Sequence, residues 1–469
     1  MFEPVIGLEV HLALRTRSKL FCGCSADGFG ADPNQNVCPV CLGLPGTLPV
    51  VNERALELAV RFALALDCEV PAETYFHRKH YFYPDAPKNY QTSQGDVPVG
   101  RHGRLELPSG RRIGLTRCHL EEDAGRLVHP PYAEYSLVDL NRAGAPLIEM
   151  VTEPDLSSPD EAREFLTEVR AIAQALGVSD AAPEEGKMRA DVNVSLRRPG
   201  EPLGTKVEVK NLNSFRSVAS ALEYETKRQA VLLEEGRRVV QETRGWNEGG
   251  QRTYSLRSKE TAADYRYLRD PDLPALPICE ETKRRIVASL PELPRARAAR
   301  YVAAGVRAAE ALLIAYDVGA AGFFDAAAAA YGGPPQNLAN WLTGEVAGRA
   351  GERGVAVPAT DLSPATLARL LQLVDAGTLS VTAAKDLLPD LMDGADPDEL
   401  VSARGLGQVS DEGALLALVT EVLAANPDLV ERVKANPKAV NALLGKVMAA
   451  SRGKANPDVA RRLLEERLG

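Results

Sequence analysis

The stretch VIGLEVHLAL (residues 5–14) alternates along its length: Ile6, Leu8, Val10 and Leu12 fall on one side, Glu9 and His11 on the other. A period of two is the mark of a strand with one buried face. Two later stretches read the same way. In RADVNVSLR (189–197), Ala190, Val192, Val194 and Leu196 oppose Arg189, Asp191, Asn193 and Ser195. In TKVEVKNLN (205–213), Val207 and Val209 oppose Lys206, Glu208 and Lys210. A merely solvated face would carry Thr, Lys and Glu in no fixed order. A histidine beside a carboxylate, an Asp-x-Asn and a Lys-x-Glu-x-Lys instead suggest a working surface on a rigid sheet.

At 469 residues the chain exceeds one compact core, and a prior of roughly one domain per 100–200 residues predicts two to four. No apolar run approaches the ~20 residues needed to span a bilayer, so no membrane association is expected. The opening MFEPVIGLEV lacks a charged n-region and a cleavage site, so it does not read as a signal peptide. A cytoplasmic location is the expectation. The net charge of −9 argues against a protein coated in basic surface. Residues 431–469 nevertheless carry nine Lys or Arg against four Asp or Glu. A basic tail on an acidic body suggests a confined contact with phosphates; a solvated helix face is the plainer alternative.

Seven cysteines in a long cytosolic chain do not make a disulfide framework. Four of them cluster as Cys22-x-Cys24, thirteen residues, then Cys38-x-x-Cys41. Two short pairs around a loop supply four thiolates able to close a tetrahedral Zn²⁺ site; reduced thiols in a loop are the alternative. With every position filled by sulfur, such a metal would hold structure rather than catalyse. Cys68, Cys118 and Cys279 stand apart and read as core fillers.

The first ~290 residues mix strand signals with a few helices, which favours an antiparallel α+β domain over a doubly wound one. Helices are expected over 52–66, with Asn52 as N-cap, over 158–177, capped by Ser158 and ended by Gly177, and from Ser214 to Gly236. Pro291 and Pro294 mark a change to Ala- and Leu-rich sequence with helix starts at Ser363-Pro364, Ser380 and Ser410-Asp411. Residues 394–410 read as a hinge between two helical pieces. The expected division is 1–293, 294–406 and 407–469, with the latter two all-α.

Several chemistries are absent. There is no G-x-x-x-x-G-K-[ST] loop, no G-x-G-x-x-G opening a helix and no G-x-S-x-G nucleophile turn. Any nucleotide would have its phosphates held by Mg²⁺, lysines and polar side chains. Any ammonia drawn from an amide would be released by another chain.

The blocks VIGLEVHLALRTRSKLFC, VCPVCLGLPGTLPVVN, RKHYFYPDAPKNYQTSQ, HLEEDAGRLVH, SLVDLNRAGAPLIEMVTEPDL, EEGKMRADVNVSLR, GTKVEVKNLNSF and DYRYLRDPDLP run almost unbroken from residue 5 to 274. They resemble the B subunit of aspartyl/glutamyl-tRNA(Asn/Gln) amidotransferase, and LLGKVMAASRGKANPDVARRLL resembles that family's YqeY-like tail. The resemblance implies a "cradle" domain on an antiparallel sheet, then a helical domain, then the tail. It implies a carbon–nitrogen ligase with glutamine as amido donor. By the same implication, Glu or Asp misattached to tRNA(Gln) or tRNA(Asn) would be phosphorylated by ATP on its side-chain carboxyl. Ammonia channelled from a glutaminase A subunit would then displace the phosphate, and a small C subunit would complete a heterotrimer. Which misacylated tRNA is used depends on the synthetases of the organism.

Carried over by motif, Glu9, His11, Glu122, Glu149 and Asp191 are the candidate catalytic and Mg²⁺-holding residues. Carboxylate oxygens suit a hard cation, and gathered carboxylates repel one another unless a cation sits between them. An imidazole is a less usual Mg²⁺ ligand, so His11 is alternatively a water or second-metal ligand. Glu122 is preferred to Glu121 by resemblance only, and Asp123 remains open. Lys79, Tyr81, Lys206, Glu208, Lys210, Asn211 and Asn213 resemble the nucleotide side, where lysines replace a phosphate loop. Tyr81, Phe82 and Tyr83 either stack on adenine or on the terminal adenosine of the tRNA, or belong to the core, as aromatic runs more often do. His77 and His80 read as structural. No catalytic base is demanded, because ammonia is already a nucleophile and an acyl phosphate already has a good leaving group. A zinc-stapled tRNA-binding scaffold is the competing reading, against which the dispersed carboxylates and the Lys-x-Glu-x-Lys count.

Overall fold

The structure, a computed structural model, describes residues 2–28, 30–258, 265–406, 412–435, 439–451 and 455–468. They fall into two compact units, Met1–Pro294 and Arg295–Gly469.

The two larger sheets of the first unit are built from β1 (Glu3–Ala13), β2 (His77–His80), β3 (Tyr90–Ser93), β4 (Gly100–Glu106), β5 (Arg112–Glu122), β6 (Pro146–Thr152), β7 (Met188–Arg197), β8 (Val207–Lys210), β9 (Glu242–Asn247), β10 (Arg252–Ser258) and β11 (Leu268–Arg269). Eight form one sheet in the order β10–β9–β8–β7–β1–β6–β5–β4; a smaller sheet runs β11–β2–β3. Every neighbour in the large sheet is antiparallel except β8 and β9. The alternation that marks residues 5–14 as a strand therefore lies at the centre of the sheet.

Ile6, Leu8, Val10 and Leu12 are fully buried, together with Ile148, Met150, Val192, Val194, Val207 and Val209. They share one core with helices α1 (Glu53–Ala65), α2 (Pro159–Ala175) and α3 (Phe215–Glu234), which cover this face. Each fully buried aliphatic side chain contributes ~1.5–3 kcal/mol, so the sheet gains far more from the helix-covered face than from the other. The three helices begin at the residues their sequences predict. The Asn52 side chain accepts from the Arg54 and Ala55 N–H groups, Ser158 from Glu161 N–H and Ser214 from Ser217 N–H.

The opposite face carries the polar set, and register fixes which side chains meet. Glu9 lies opposite Asp191, and His11 opposite Glu149 on one side and Arg189 on the other. His119 on β5 is also opposite Glu149, and Asn193 is opposite Glu208. Directly opposed residues project to the same side of a sheet.

The second unit is helical, from Pro294–Ala303 to Pro457–Leu468. One core spans Ala298 to Met392 and another Leu415 to Leu464. Ser363 and Ser380 cap their helices as predicted, whereas Ser410 and Asp411 lie outside the described residues. Two readings are corrected. Over 394–406, the stretch read as a hinge contains the helix Pro397–Ala403, capped by Asp396, with Leu400, Val401 and Leu406 packed on the first of these cores; its residues 407–410 lie outside the described residues. Cys279, read as a core filler, is exposed, unlike the buried Cys68 and Cys118; it precedes Glu280–Ala288, whose apolar Ile286 points inward instead. Among the described residues no single helix is long and apolar enough to cross a membrane.

Candidate active site and thiolate cluster

On the polar face, Nε2 of His11 lies 3.1 Å from Glu149 Oε2 and 3.7 Å from Glu121 Oε1. Nε2 of His119 lies 3.4 Å from Glu121 Oε2 and 3.5 Å from Glu149 Oε2. His119 is buried, and its Nδ1 has no hydrogen-bond partner among the described residues. Burial by itself would lower the His119 pKa, but Glu149 and Glu121 raise it to about 9. Burial would likewise raise Glu149; the two imidazoles hold it well below the usual carboxylate range.

A second group adjoins the first. Donor atoms of Glu9, Asp191 and Glu208 lie within 4.8 Å of one another, as do those of His11, Glu121 and Glu149. Lys210 Nζ bridges Asp191 at 2.6 Å and Glu208 at 3.1 Å. Thr243 Oγ1 donates to the other Glu208 oxygen at 2.8 Å. Burial and the charges of Glu149 and Asp191 push Glu9 above its ordinary pKa, which is how crowded carboxylates respond when no cation separates them. The donor set of both groups, oxygens with one imidazole, fits a hard divalent cation.

A cavity of about 420 Å³ opens over this face, within the ~300–1,000 Å³ typical of small-ligand sites. Lys79, Lys88, Arg189 and Lys210 bring positive charge to a wall otherwise rich in carboxylates. Burial would lower the Lys79 pKa, but Glu121, Tyr267 and Glu149 hold it raised. Asn211, which follows β8, has a positive φ of 66°, and both it and Asn213 line the cavity.

The four cysteines of the N-terminal loop come together, their sulfurs all within 4.8 Å of one another and those of Cys38 and Cys41 3.9 Å apart. Four sulfurs at the ~2.3 Å Zn–S distance of a tetrahedral site stand ~3.8 Å from each other. The cluster thus fits zinc in donor type, number and spacing. Cys41 is held down to about 4 by the Cys22 thiol hydrogen-bonded to it, despite burial, with Cys38 N–H and the Lys19 ammonium assisting. Cys22 is correspondingly pushed up.

Of the residues singled out by sequence, His11, Glu122, Glu149, Asp191, Lys79, Tyr81, Lys210, Asn211 and Asn213 line the one cavity. Glu9 and Glu208 join them through Asp191 and Lys210. Lys206 does not: it is exposed, one position before β8, and takes no place in the wall. Glu122 lines the cavity but turns from the His11–Glu149 pair to Lys88 Nζ at 2.5 Å and Thr92 N–H at 2.7 Å. Glu121 occupies the position beside His11. Asp123 pairs with Arg142 and Arg189 at 3.1 and 3.0 Å. His77 and His80 hold local structure, through Asp96 and the Arg266 carbonyl. Tyr81, Phe82 and Tyr83 are exposed rather than core. Sequence reading missed His119 and Lys88 altogether.

This fold and face define a class. Residues 4–284 match the GatB/GatE catalytic domain and residues 322–468 the GatB domain, and the chain belongs to this family. Its relatives include proteins named as the B subunit of aspartyl/glutamyl-tRNA(Asn/Gln) amidotransferase. That of Thermus thermophilus is 56% identical over the whole of both chains, and that of Deinococcus radiodurans 55% identical over all of this chain and 99% of its own. That of Thermomicrobium roseum is 51% identical over all of this chain and 99% of its own.

Proposed function

We propose that this chain is the subunit of a cytoplasmic tRNA-dependent amidotransferase that activates and amidates the misacylated residue. Its substrates are Glu-tRNA(Gln), Asp-tRNA(Asn) or both, with ATP as phosphoryl donor. A glutaminase A subunit supplies ammonia, and a small C subunit completes the heterotrimer. The observation that carries this reading is the meeting of His11, Glu121 and Glu149 with Lys79 and Lys210 in one cavity on a rigid sheet.

A side-chain carboxylate oxygen of the misacylated residue attacks the γ-phosphorus, and ADP departs. Ammonia then attacks the carbonyl carbon; the C–O bond breaks and inorganic phosphate leaves with the bonding pair, while the surplus ammonia proton passes to solvent. His11, Glu121 and Glu149, with Glu9, Asp191 and Glu208 beside them, would hold Mg²⁺. When bound, that cation neutralises charge on the transferring phosphoryl group. Lys79 and Lys210 supply fixed positive charge to phosphate oxygens. Buried His119 keeps the Glu121 and Glu149 carboxylates oriented toward His11. Tyr81, exposed at the rim, offers a ring for a base to stack on. Asn211 and Asn213 supply amides for the nucleotide, and Cys22, Cys24, Cys38 and Cys41 hold a structural zinc.

We assign residues 1–293 to catalysis, 294–406 to a helical domain and 407–469 to a YqeY-like tail that contacts tRNA phosphates. Of the tail cations, Lys446 is exposed, and Arg452 and Lys454 lie outside the described residues.

The test is turnover of γ-labelled ATP by the assembled complex with misacylated tRNA. Glu149→Ala should lower it by about 10²-fold or more, since metal-held charge is worth several kcal/mol and each 1.36 kcal/mol is tenfold. Intact turnover in that variant would leave the scaffold reading.

A further inference from the structure

Lys19 is fully buried. Its Nζ donates to the Asn36 carbonyl at 2.8 Å and lies 3.6 Å from Cys41 Sγ. Its backbone N–H donates to the Cys24 carbonyl at 2.9 Å. One residue thus touches both halves of the cysteine set. An ammonium in the interior is strongly unfavourable unless an anion accompanies it. Among the described residues no carboxylate forms an ion pair with Lys19: Glu122, on the same side of Gly144, is taken by Lys88. The Asn36 carbonyl offers only a dipole. The counter-charge is therefore sulfur.

Four thiolates around one Zn²⁺ leave a net charge of about −2 in a partly buried loop, and a cation against one sulfur halves it. The surroundings hold Lys19 in that place. A side chain at Gly144 would meet Cys41 Cβ at 3.5 Å and Lys19 Cδ at 3.7 Å. Leu20 N–H donates to the Gly144 carbonyl, and Gly144 N–H to the Asp123 carbonyl, each at 2.9 Å. The lysine is therefore fixed by the same backbone contacts that join the cysteine loop to the end of β5.

We infer that Lys19 is the internal counter-ion of the four-cysteine zinc site, and that its charge sets how firmly the metal is retained. This rests on the zinc assignment made above. Lys19 is a positioning residue: it touches a ligand, not the metal.

The experiment compares the full-length wild-type chain with Lys19→Met, which removes charge and donor, and Lys19→Gln, which keeps a donor for Asn36. Zinc content is measured by elemental analysis, and zinc loss by transfer to a chromogenic chelator. The wild type should carry one zinc. Both variants should lose it about 10–100-fold faster, the range in which outer-sphere partners act on metal affinity. They should also narrow the difference in Tm between zinc-loaded and metal-free protein, whereas a purely structural lysine would lower both Tm values alike. If Lys19→Met is recovered only unfolded, adding Cys24→His, which exchanges one thiolate for a neutral imidazole, should restore a zinc-bound chain; failure of that rescue overturns the inference. Wild-type release rates in Lys19→Gln overturn it while leaving the zinc assignment standing. A wild-type chain with no zinc and four titratable thiols removes that assignment, and the counter-ion with it.

Discussion

Lys88 Nζ lies 2.5 Å from Glu122 Oε1, and this pair takes Glu122 away from the carboxylates beside which Glu121 stands. Lys88 also lies over the rings of Phe21 and Tyr90, at 5.6 and 5.0 Å from their centroids. Two adjacent glutamates thus have different partners, and the proposed function gives them different tasks. Glu121→Gln should lower ATP-dependent transamidation by about 10²-fold and raise the Mg²⁺ concentration needed for half-activity, with Tm nearly unchanged. Glu122→Gln should do the reverse, costing roughly 3 kcal/mol of stability because it strands a largely buried ammonium. Paired melting curves and Mg²⁺ titrations separate the two; equal Mg²⁺ dependence in both variants would sink the distinction.

The difference between these neighbours was hidden in the sequence for a physical reason. On β5, Ile113 and Leu115 face the core, but so do Cys118 and Leu120, because register shifts between Leu115 and Arg117. A bulge adds one residue and reverses which parity points inward. Beyond it His119 and Glu121 join the polar face, a phase change that alternation read from either end cannot place. β1, β7 and β8 have no such interruption, so Glu9, His11, Asp191, Glu208 and Lys210 were legible. Lys206 was overextended by the same logic, since the strand begins at Val207. Lys88 belongs to a loop, where no periodicity exists to read.

Asp191→Asn should fold almost normally. Lys210, its partner at 2.6 Å, keeps Glu208 at 3.1 Å, so no buried cation is stranded. Removing one carboxylate also relieves Glu9, whose pKa the Asp191 charge helps to raise. If this group holds the cation as proposed, transamidation should nevertheless fall by about 10²-fold, since Glu9 and Glu208 are left without the third carboxylate beside them. An unchanged rate at saturating ATP and Mg²⁺ would remove Asp191 from the site.

Gly43 links the cysteine loop to Lys88. Its φ is +66°, and an added Cβ would stand 2.5 Å from Lys88 Cγ and 3.1 Å from Lys88 Cα. Gly43→Ala therefore combines backbone strain with displacement of the lysine that holds Glu122, and should cost about 1–3 kcal/mol. Gly46→Ala is the control for strain alone: its φ is +86° and nothing lies within 4 Å of the added carbon. Chemical denaturation should show Gly43→Ala the more destabilised of the two; equal losses would mean that contact with Lys88 contributes nothing.

The C-terminal segment offers a test that turns on salt. Leu415 to Leu464 form a core of their own, and Leu400, Val401 and Leu406 pack on the preceding one. A cut after Leu406 therefore leaves that preceding core whole. Lys446, Arg461, Arg462 and Arg467 are exposed on the removed part. Cations that meet phosphates release condensed counterions, and each contact adds roughly 0.7–0.9 to the slope of log affinity against log salt. Phosphate contacts position a protein without reading sequence. Deleting residues 407–469 from the assembled complex should weaken binding of misacylated tRNA and flatten that slope by about two or more. Glutamine hydrolysis by the partner, measured without tRNA, should persist. If the truncated complex bound tRNA with unchanged affinity from low to high salt, these exposed cations would be a solvated surface and nothing more.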